Sequence, residues 1–402
     1  MWRMWILKCL RIFAAVAVVA LGPGGAGTAW AQKPPIRVGV LNSLTGVYAG
    51  PGKEGINGTK LAFDEVSNEI AGRKIELLIE DDQAQPDVAL TKTKKLVERD
   101  RVHVLMGIIW SPNAVAVRDY VHAGKTPLVL SEAAVRPITQ EARSPNIFRT
   151  SFASGQTTRP FGVYVCDKLG YKRLVAIGFD SVFGREQADF LESGCAEAGG
   201  KVIQKIFAPV GTPDFAPYLA QITQANPDAV WAIWSGAAAI RFLQQYGEFG
   251  LKAKYPLVGF GALTDETVVK AAGDAALGVI TEYFYTPALE TPENRRFVQA
   301  YRQKYGEEPG VFSAGGYTAA RVIREAAKAI NGEVEDTEKF LRALRGVRFE
   351  DPRGPFRFDA FQNSILNVYI RKVERVDGRP VNKVLDTLRE VEQYWPKGKP
   401  RP

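Results

Sequence analysis

Residue types that carry out catalysis are scarce in this chain. Its 402 residues include two histidines, His103 and His122, and three cysteines, Cys9, Cys166 and Cys195. Two histidines cannot supply a multi-histidine metal centre, and three cysteines cannot form a four-cysteine zinc site or a dense disulfide scaffold. The H-E-x-x-H, G-x-S-x-G and P-loop patterns do not occur. Gly50-Pro-Gly-Lys-Glu-Gly55 matches G-x-G-x-x-G ahead of a helix, but in a dinucleotide fingerprint the glycines follow the strand directly. Here Asn42 to Ala49 intervene, and Pro51 stiffens the turn. The expectation is a protein that is not an enzyme and holds neither cofactor nor metal.

Binding chemistry is better represented. In Trp110-Ser111-Pro112-Asn113 a serine opens a predicted helix and a proline follows in its first turn. Such a start presents a hydroxyl and unpaired backbone N–H groups, which suit an anion such as a carboxylate. The same pattern also serves as an ordinary helix cap, so context must decide.

The elements that position this serine follow a clear rhythm. Apolar strands alternate with amphipathic helices: Ile36 to Leu41, Lys53 to Ile70, Lys74 to Glu80, Pro86 to Arg99, Val102 to Ile108, Pro112 to Ala123 and Pro127 to Leu130. After Pro145 to Thr150 the rhythm restarts with a helix from Thr158 to Leu169. Strands are expected at Arg173 to Phe179, Val202 to Phe207, Ala229 to Ile233 and Leu257 to Gly259. Pro292 to Arg345 reads as helical, and the tail as short strands turning at Asp377-Gly378. The pattern predicts an α/β fold with mainly parallel sheets, divided between two domains of similar build.

Met1 to Ala31 reads as a cleavable secretory signal. Arg3, Lys8 and Arg11 precede the apolar run Ile12 to Leu21, and Ala29-Trp30-Ala31 offers small residues for cleavage. Ten apolar residues are too few to span a bilayer, so a soluble exported protein is expected. The net charge of +8 is scattered among acids, as in Lys92 to Arg101, and forms no basic stripe for nucleic acid. Cys166 and Cys195 flank one strand, and in an oxidising compartment they could be bridged.

Several motifs, in this order, resemble the periplasmic solute-binding proteins of the branched-chain amino-acid transporter family. They are Ile36 to Gly46 with Gly50 to Gly58, Arg73 to Asp82, Pro145-Asn-Ile-Phe-Arg-Thr150, Gly211-Thr-Pro-Asp-Phe215 leading to Asn226-Pro-Asp-Ala229, and Gly354-Pro-Phe-Arg-Phe-Asp359. The resemblance implies a type I periplasmic binding fold: two Rossmann-like lobes joined by three crossovers, with a ligand cleft that closes like a hinge. It places lobe 1 at residues 32–150 and 284–358, and lobe 2 at 151–283 and 359–402. It also implies a monomer that delivers its ligand to the membrane permease subunits of an ABC importer from the periplasm.

The resemblance selects site residues as well. Ser111 stands where the family holds a ligand carboxylate. Ala133 matches a backbone contact, and Val135 replaces the hydroxyl residue that follows it, so that contact is expected to be lost. Tyr48, Trp110, Phe183, Trp234 and Phe260 fall on loops facing the cleft. Gly261 stands near the place where amino-acid binders carry an acid for the ligand ammonium, and Asp265 lies four residues further on. A buried ammonium without an anionic partner costs several kcal/mol. An aromatic or otherwise hydrophobic carboxylate is therefore expected ahead of a branched-chain amino acid. The rival reading is a ligand-sensing receptor component for amides or similar molecules, which could use the same fold.

Overall fold

The computed structural model describes residues 33–395, so the expected signal at 1–31 lies outside the described residues. The first sheet holds β1 (Ile36–Asn42), β2 (Glu69–Ile70), β3 (Arg73–Asp81), β4 (Val104–Gly107), β5 (Leu128–Leu130) and β6 (Ile147–Arg149), in the order β2-β3-β1-β4-β5-β6. All of its pairings are parallel except the short β2–β3 pair.

The second sheet repeats the plan with β7 (Arg173–Phe179), β8 (Lys201–Ala208), β9 (Ala229–Ile233), β10 (Leu257–Phe260) and β11 (Ile280–Tyr283), ordered β8-β7-β9-β10-β11 and all parallel. It extends through β14 (Ser364–Val376) and β15 (Arg379–Val391), both antiparallel, with the hairpin β12 (Arg348–Asp351) and β13 (Gly354–Phe358) at its edge. Between β14 and β15 both Asp377 and Gly378 have positive φ, the geometry of a tight two-residue hairpin turn.

In both sheets the first strand of the unit lies inside the order and its neighbours leave in opposite directions. The crevice above such a switch point, at the carboxyl ends of the strands, is where α/β sheets bind ligands. The apolar strands are buried on both faces, as parallel sheets require: β4, β5, β6 and β9 are buried throughout. Helices Ala49–Asp64 and Val311–Ala329 pack together over the first sheet. Gly58 and Gly316 allow this approach, since a Cβ on either would lie about 2 Å from a carbonyl of the other helix.

Two local expectations are corrected. The helix from Ala49 ends at Asp64, and Ile70 pairs with Arg73 in a short strand, because Ser67 and Asn68 turn the chain through positive φ. Ser111 is the first residue of the helix Ser111–Ala123; Trp110 holds the cap position. Cys166 and Cys195 are bonded, with Cα atoms 5.3 Å apart, and Gly200 leaves the space that their sulfurs fill.

Candidate functional site

The loops after the parallel strands of the two sheets meet around a pocket of about 560 Å³, its open mouth included. The first sheet's side contributes Tyr48, Trp110, Ser111, Glu132 and Ala134. The second sheet's side contributes Phe179, Phe183, Trp234, Ser235, Phe260 and Tyr283, and Phe152 stands between them. Six expected residues therefore come together here: Tyr48, Trp110, Ser111, Phe183, Trp234 and Phe260.

Ser111 is buried, and its Oγ accepts the Ala134 N–H at 3.2 Å, tying the helix start to the loop after β5. That loop is held from beneath by Arg149. Its fully buried guanidinium donates to the carbonyls of Ala134 at 2.8 Å, Val135 at 2.9 Å and Phe152 at 3.2 Å. Ser154 also donates to the Ala134 carbonyl, through its N–H at 2.7 Å and its Oγ at 3.0 Å, so the loop is fixed from several directions.

The opposite loop is held in the same way. Arg371, also fully buried, donates to the carbonyls of Tyr285 and Gly261, each at 2.9 Å, and to Thr281 Oγ1 at 3.2 Å. Its guanidinium lies 5.2 Å from the centre of the Tyr283 ring.

Ala133, Val135 and Gly261 do not line the pocket. Ala133 is buried with its N–H given to the Ile108 carbonyl, and Ala134 takes the place at the pocket. Val135 points into the core of the first lobe, and its carbonyl is bound by Arg149. Gly261 carries nothing into the cleft, because a Cβ there would stand 2.1 Å from Cγ of Tyr283. The ring occupies the place from which a side chain at 261 would start, and Ala262 lines the pocket instead. Asp265 is committed too: Oδ1 caps the helix Glu266–Ala272 through the Thr267 N–H at 3.2 Å, and Oδ2 accepts the Val311 N–H at 3.3 Å.

The rings form a continuous surface. Phe183 meets Phe260 edge to face at 5.5 Å, Phe260 meets Tyr283 at 5.2 Å, and Phe152 lies 5.6 Å from Phe260. Across the mouth Tyr48 lies 5.4 Å from Trp110. Trp234 reaches the pocket from a packed cluster with Phe179 and Phe215, so it serves core and site together. Burial raises the pKa of the Tyr48 hydroxyl, and Ser235 across the mouth opposes the rise. The hydrogen bond from the Val311 N–H to Asp265 joins the two sides.

Glu132, absent from the expected set, is the acid in the pocket wall. Burial holds its carboxyl well above the usual carboxylate range; Arg353 opposes this and Asp265 adds to it. Glu54, buried nearby, is raised by burial and then by Asp265 and further acids.

A family model described as periplasmic binding protein matches residues 35–379. The Leu/Ile/Val-binding protein homolog 6 of Brucella melitensis is 31% identical over 380 residues, covering 93% of this chain and 96% of the relative. An ABC transporter substrate-binding protein from Sphaerobacter thermophilus is 40% identical, with a TM-score of 0.86, over 90% of this chain and 99% of that one. A solute-binding protein of an ABC transporter from Rhodopseudomonas palustris BisB5, in complex with 3,4-dihydroxybenzoic acid, is 33% identical. Its TM-score is 0.85, over 89% of this chain and 98% of that one.

Proposed function

The chain belongs to the periplasmic binding protein family, and from that footing we propose that it captures a small aromatic carboxylate between its lobes and passes it to the permease subunits of an ABC importer. The observation that carries this reading is the pairing of an anion seat with a ring-lined wall. Ser111 and the start of its helix offer hydrogen-bond donors to a carboxylate, while Phe183, Phe260 and Tyr283 present ring faces and edges. The position that would carry an ammonium-binding acid is closed by Tyr283. The dihydroxybenzoic acid bound by the Rhodopseudomonas relative has the same division into carboxylate and ring.

Capture is reversible and no bond is made or broken. Ligand contacts on both walls shift an open and closed equilibrium toward closed, by no more than the difference in affinity between the two states. We place the lobes at 32–150 with 284–358 and at 151–283 with 359–402, and the hinge near Arg149–Ser151, Tyr283–Thr286 and Phe358–Ala360. The change of sheet after β6, and the return of the helices after β11 to the first sheet, support this division. Export through residues 1–31 would deliver the chain to the periplasm. Among the described residues no helix is long and apolar enough to cross a membrane.

A branched-chain amino acid is the second reading. It is favoured by the Leu/Ile/Val-binding name of the Brucella relative and by Glu132 as an anion within the pocket. A thermal-shift screen of ligand-stripped protein against benzoate, hydroxybenzoates, leucine, valine and small amides separates the two, since ligand bound to the folded state raises the midpoint. Aromatic acids should raise it by several degrees, and Ser111→Ala should weaken their binding about tenfold or more, the effect of one hydrogen bond to a charged group. A shift with leucine and none with aromatic acids would reverse the ligand assignment.

A further inference from the structure

In the pocket wall Ser111 Oγ takes the Ala134 N–H, whereas Trp234 Nε1 and one carboxyl oxygen of Glu132 are buried without a hydrogen-bond partner among the described residues. Of these two, Glu132 is the ionisable group. The residue is 7% exposed, its side chain lines the pocket, and Oε1 has no hydrogen-bond partner among the described residues. The fold makes room for it: a Cβ on Gly315 would lie 1.6 Å from that oxygen. Oε1 is thus enclosed against Gly315, and the exposure that remains to Glu132 lies at the pocket; a carboxyl held there with no donor to either oxygen among the described residues is costly, which points to a partner that arrives with the ligand.

We propose that Glu132 is the specificity-determining residue of the cleft, pairing through its carboxyl with a hydroxyl group on the ring of the captured aromatic carboxylate. The inference rests on the reading of the ligand as an aromatic carboxylate and narrows it to hydroxylated members of that class. An ionised Glu132 would repel the ligand's carboxylate. Burial favours the neutral form, which offers one acceptor oxygen and one O–H donor. A ring hydroxyl also donates and accepts, so it matches either orientation. An unsubstituted ring leaves Glu132 without a partner, and a site built to hydrogen-bond a hydroxyl discriminates strongly against an analogue that lacks it.

The test is isothermal titration of the ligand-stripped protein with 4-hydroxybenzoate, 3-hydroxybenzoate, 3,4-dihydroxybenzoate, benzoate and leucine, repeated with Glu132→Ala and Glu132→Gln. At least one hydroxylated acid should bind the unaltered protein about tenfold or more tightly than benzoate, the range of one well-placed hydrogen bond. Glu132→Ala should bring the two within about twofold, mainly by weakening the hydroxylated acid, as expected when only one partner of a hydrogen bond is removed. Glu132→Gln, which keeps an acceptor and a donor, should retain part of the preference and guards against misfolding of the alanine variant. Equal affinity for benzoate and every hydroxylated acid, or a preference that persists in both variants, overturns the role of Glu132 and leaves the aromatic-carboxylate reading in place. Binding of leucine alone, abolished by Glu132→Gln, overturns both and makes Glu132 the ammonium partner.

Discussion

The two walls of the pocket are built on the same topology and carry different chemistry. The wall above the first sheet has Ser111 at a helix start, the Ala134 loop and the Glu132 carboxyl, with Tyr48 and Trp110 at the rim. The wall above the second sheet is Phe179, Phe183, Trp234, Phe260 and Tyr283, with Ser235 as its small polar group. Charge is therefore met on one side and ring surface on the other. A ligand that first settles its carboxylate on the polar wall keeps its ring wet until the aromatic wall closes. The burial of that ring then belongs to the closed state alone, and differential binding of this kind is what drives closure.

Beneath each wall one buried arginine gathers the carbonyls of the loop above it, so replacing them one at a time asks which wall matters more. Arg149→Met removes the donors to Ala134, Val135 and Phe152, and Arg371→Met those to Tyr285, Gly261 and Thr281. The Ala134 carbonyl keeps its donors from Ser154 and Thr281 Oγ1 keeps Thr264, so each variant orphans two carbonyls; at roughly 1–3 kcal/mol for each, either should lose about 2 kcal/mol or more in urea denaturation. Their ligand behaviour should differ. Arg149→Met disturbs the carboxylate seat and should weaken every aromatic acid, whereas Arg371→Met should weaken ligands in proportion to ring size. Equal effects on all ligands from both variants would erase the distinction between the walls.

Smaller, and specific to the second wall, is a response to pH. Glu266 is half-buried, with its carboxyl Oε2 enclosed beside the loop that Arg371 holds and Oε1 accepting from Asn382 Nδ2 at 3.0 Å and Thr286 Oγ1 at 3.3 Å, with Asp265 adjacent in the chain. Burial pushes its pKa up to about 7, Arg371 opposing and Asp265 adding. The folded state thus keeps a proton that the unfolded chain releases above about 4.5. Its contribution is fully present below about 4.5 and is lost as pH rises through about 7. Melting midpoints should fall across that window, and Glu266→Gln should make the fall shallower. Some slope should remain, because Glu282, beneath the same wall and bonded to Thr158, is pushed by burial up to about 8. An unchanged slope in Glu266→Gln would show that the carboxyl is not buried as described.

The difference between the walls was partly legible in the sequence. Alternating strands and helices, the Trp110-Ser111-Pro112 start and rings placed after strands are local patterns, and six of nine expected residues line the pocket. Where the other residues lie has distant causes. That Gly261 is sealed depends on Tyr283, which pairing of β10 with β11 brings alongside. The depth of Glu132 depends on Gly315, in a helix that returns from far along the chain. Ala133 and Ala134 are told apart by their N–H partners, the Ile108 carbonyl for the first and Ser111 Oγ at the pocket for the second, both from the segment that follows another strand. Asp265 had a local signal, an acid directly before a helix, and it does cap that helix.

The smallest effect is expected where the walls touch. The Tyr48 hydroxyl faces Ser235 across the mouth, where the two are expected to bond as the lobes close, and Tyr48→Phe removes that bond while keeping the ring against Trp110. One neutral hydrogen bond is worth about 0.5–1.5 kcal/mol, which corresponds to roughly twofold to tenfold in affinity. If the bond forms only on closure, the loss should appear as faster ligand release in stopped-flow measurements, with the association rate little changed. It should also be the same for every ligand, because the bond joins protein to protein. Ser235→Ala should match it, and the double variant should cost no more than either alone. Additive losses would mean that each hydroxyl contacts the ligand separately, and would move both residues from the latch into the binding wall.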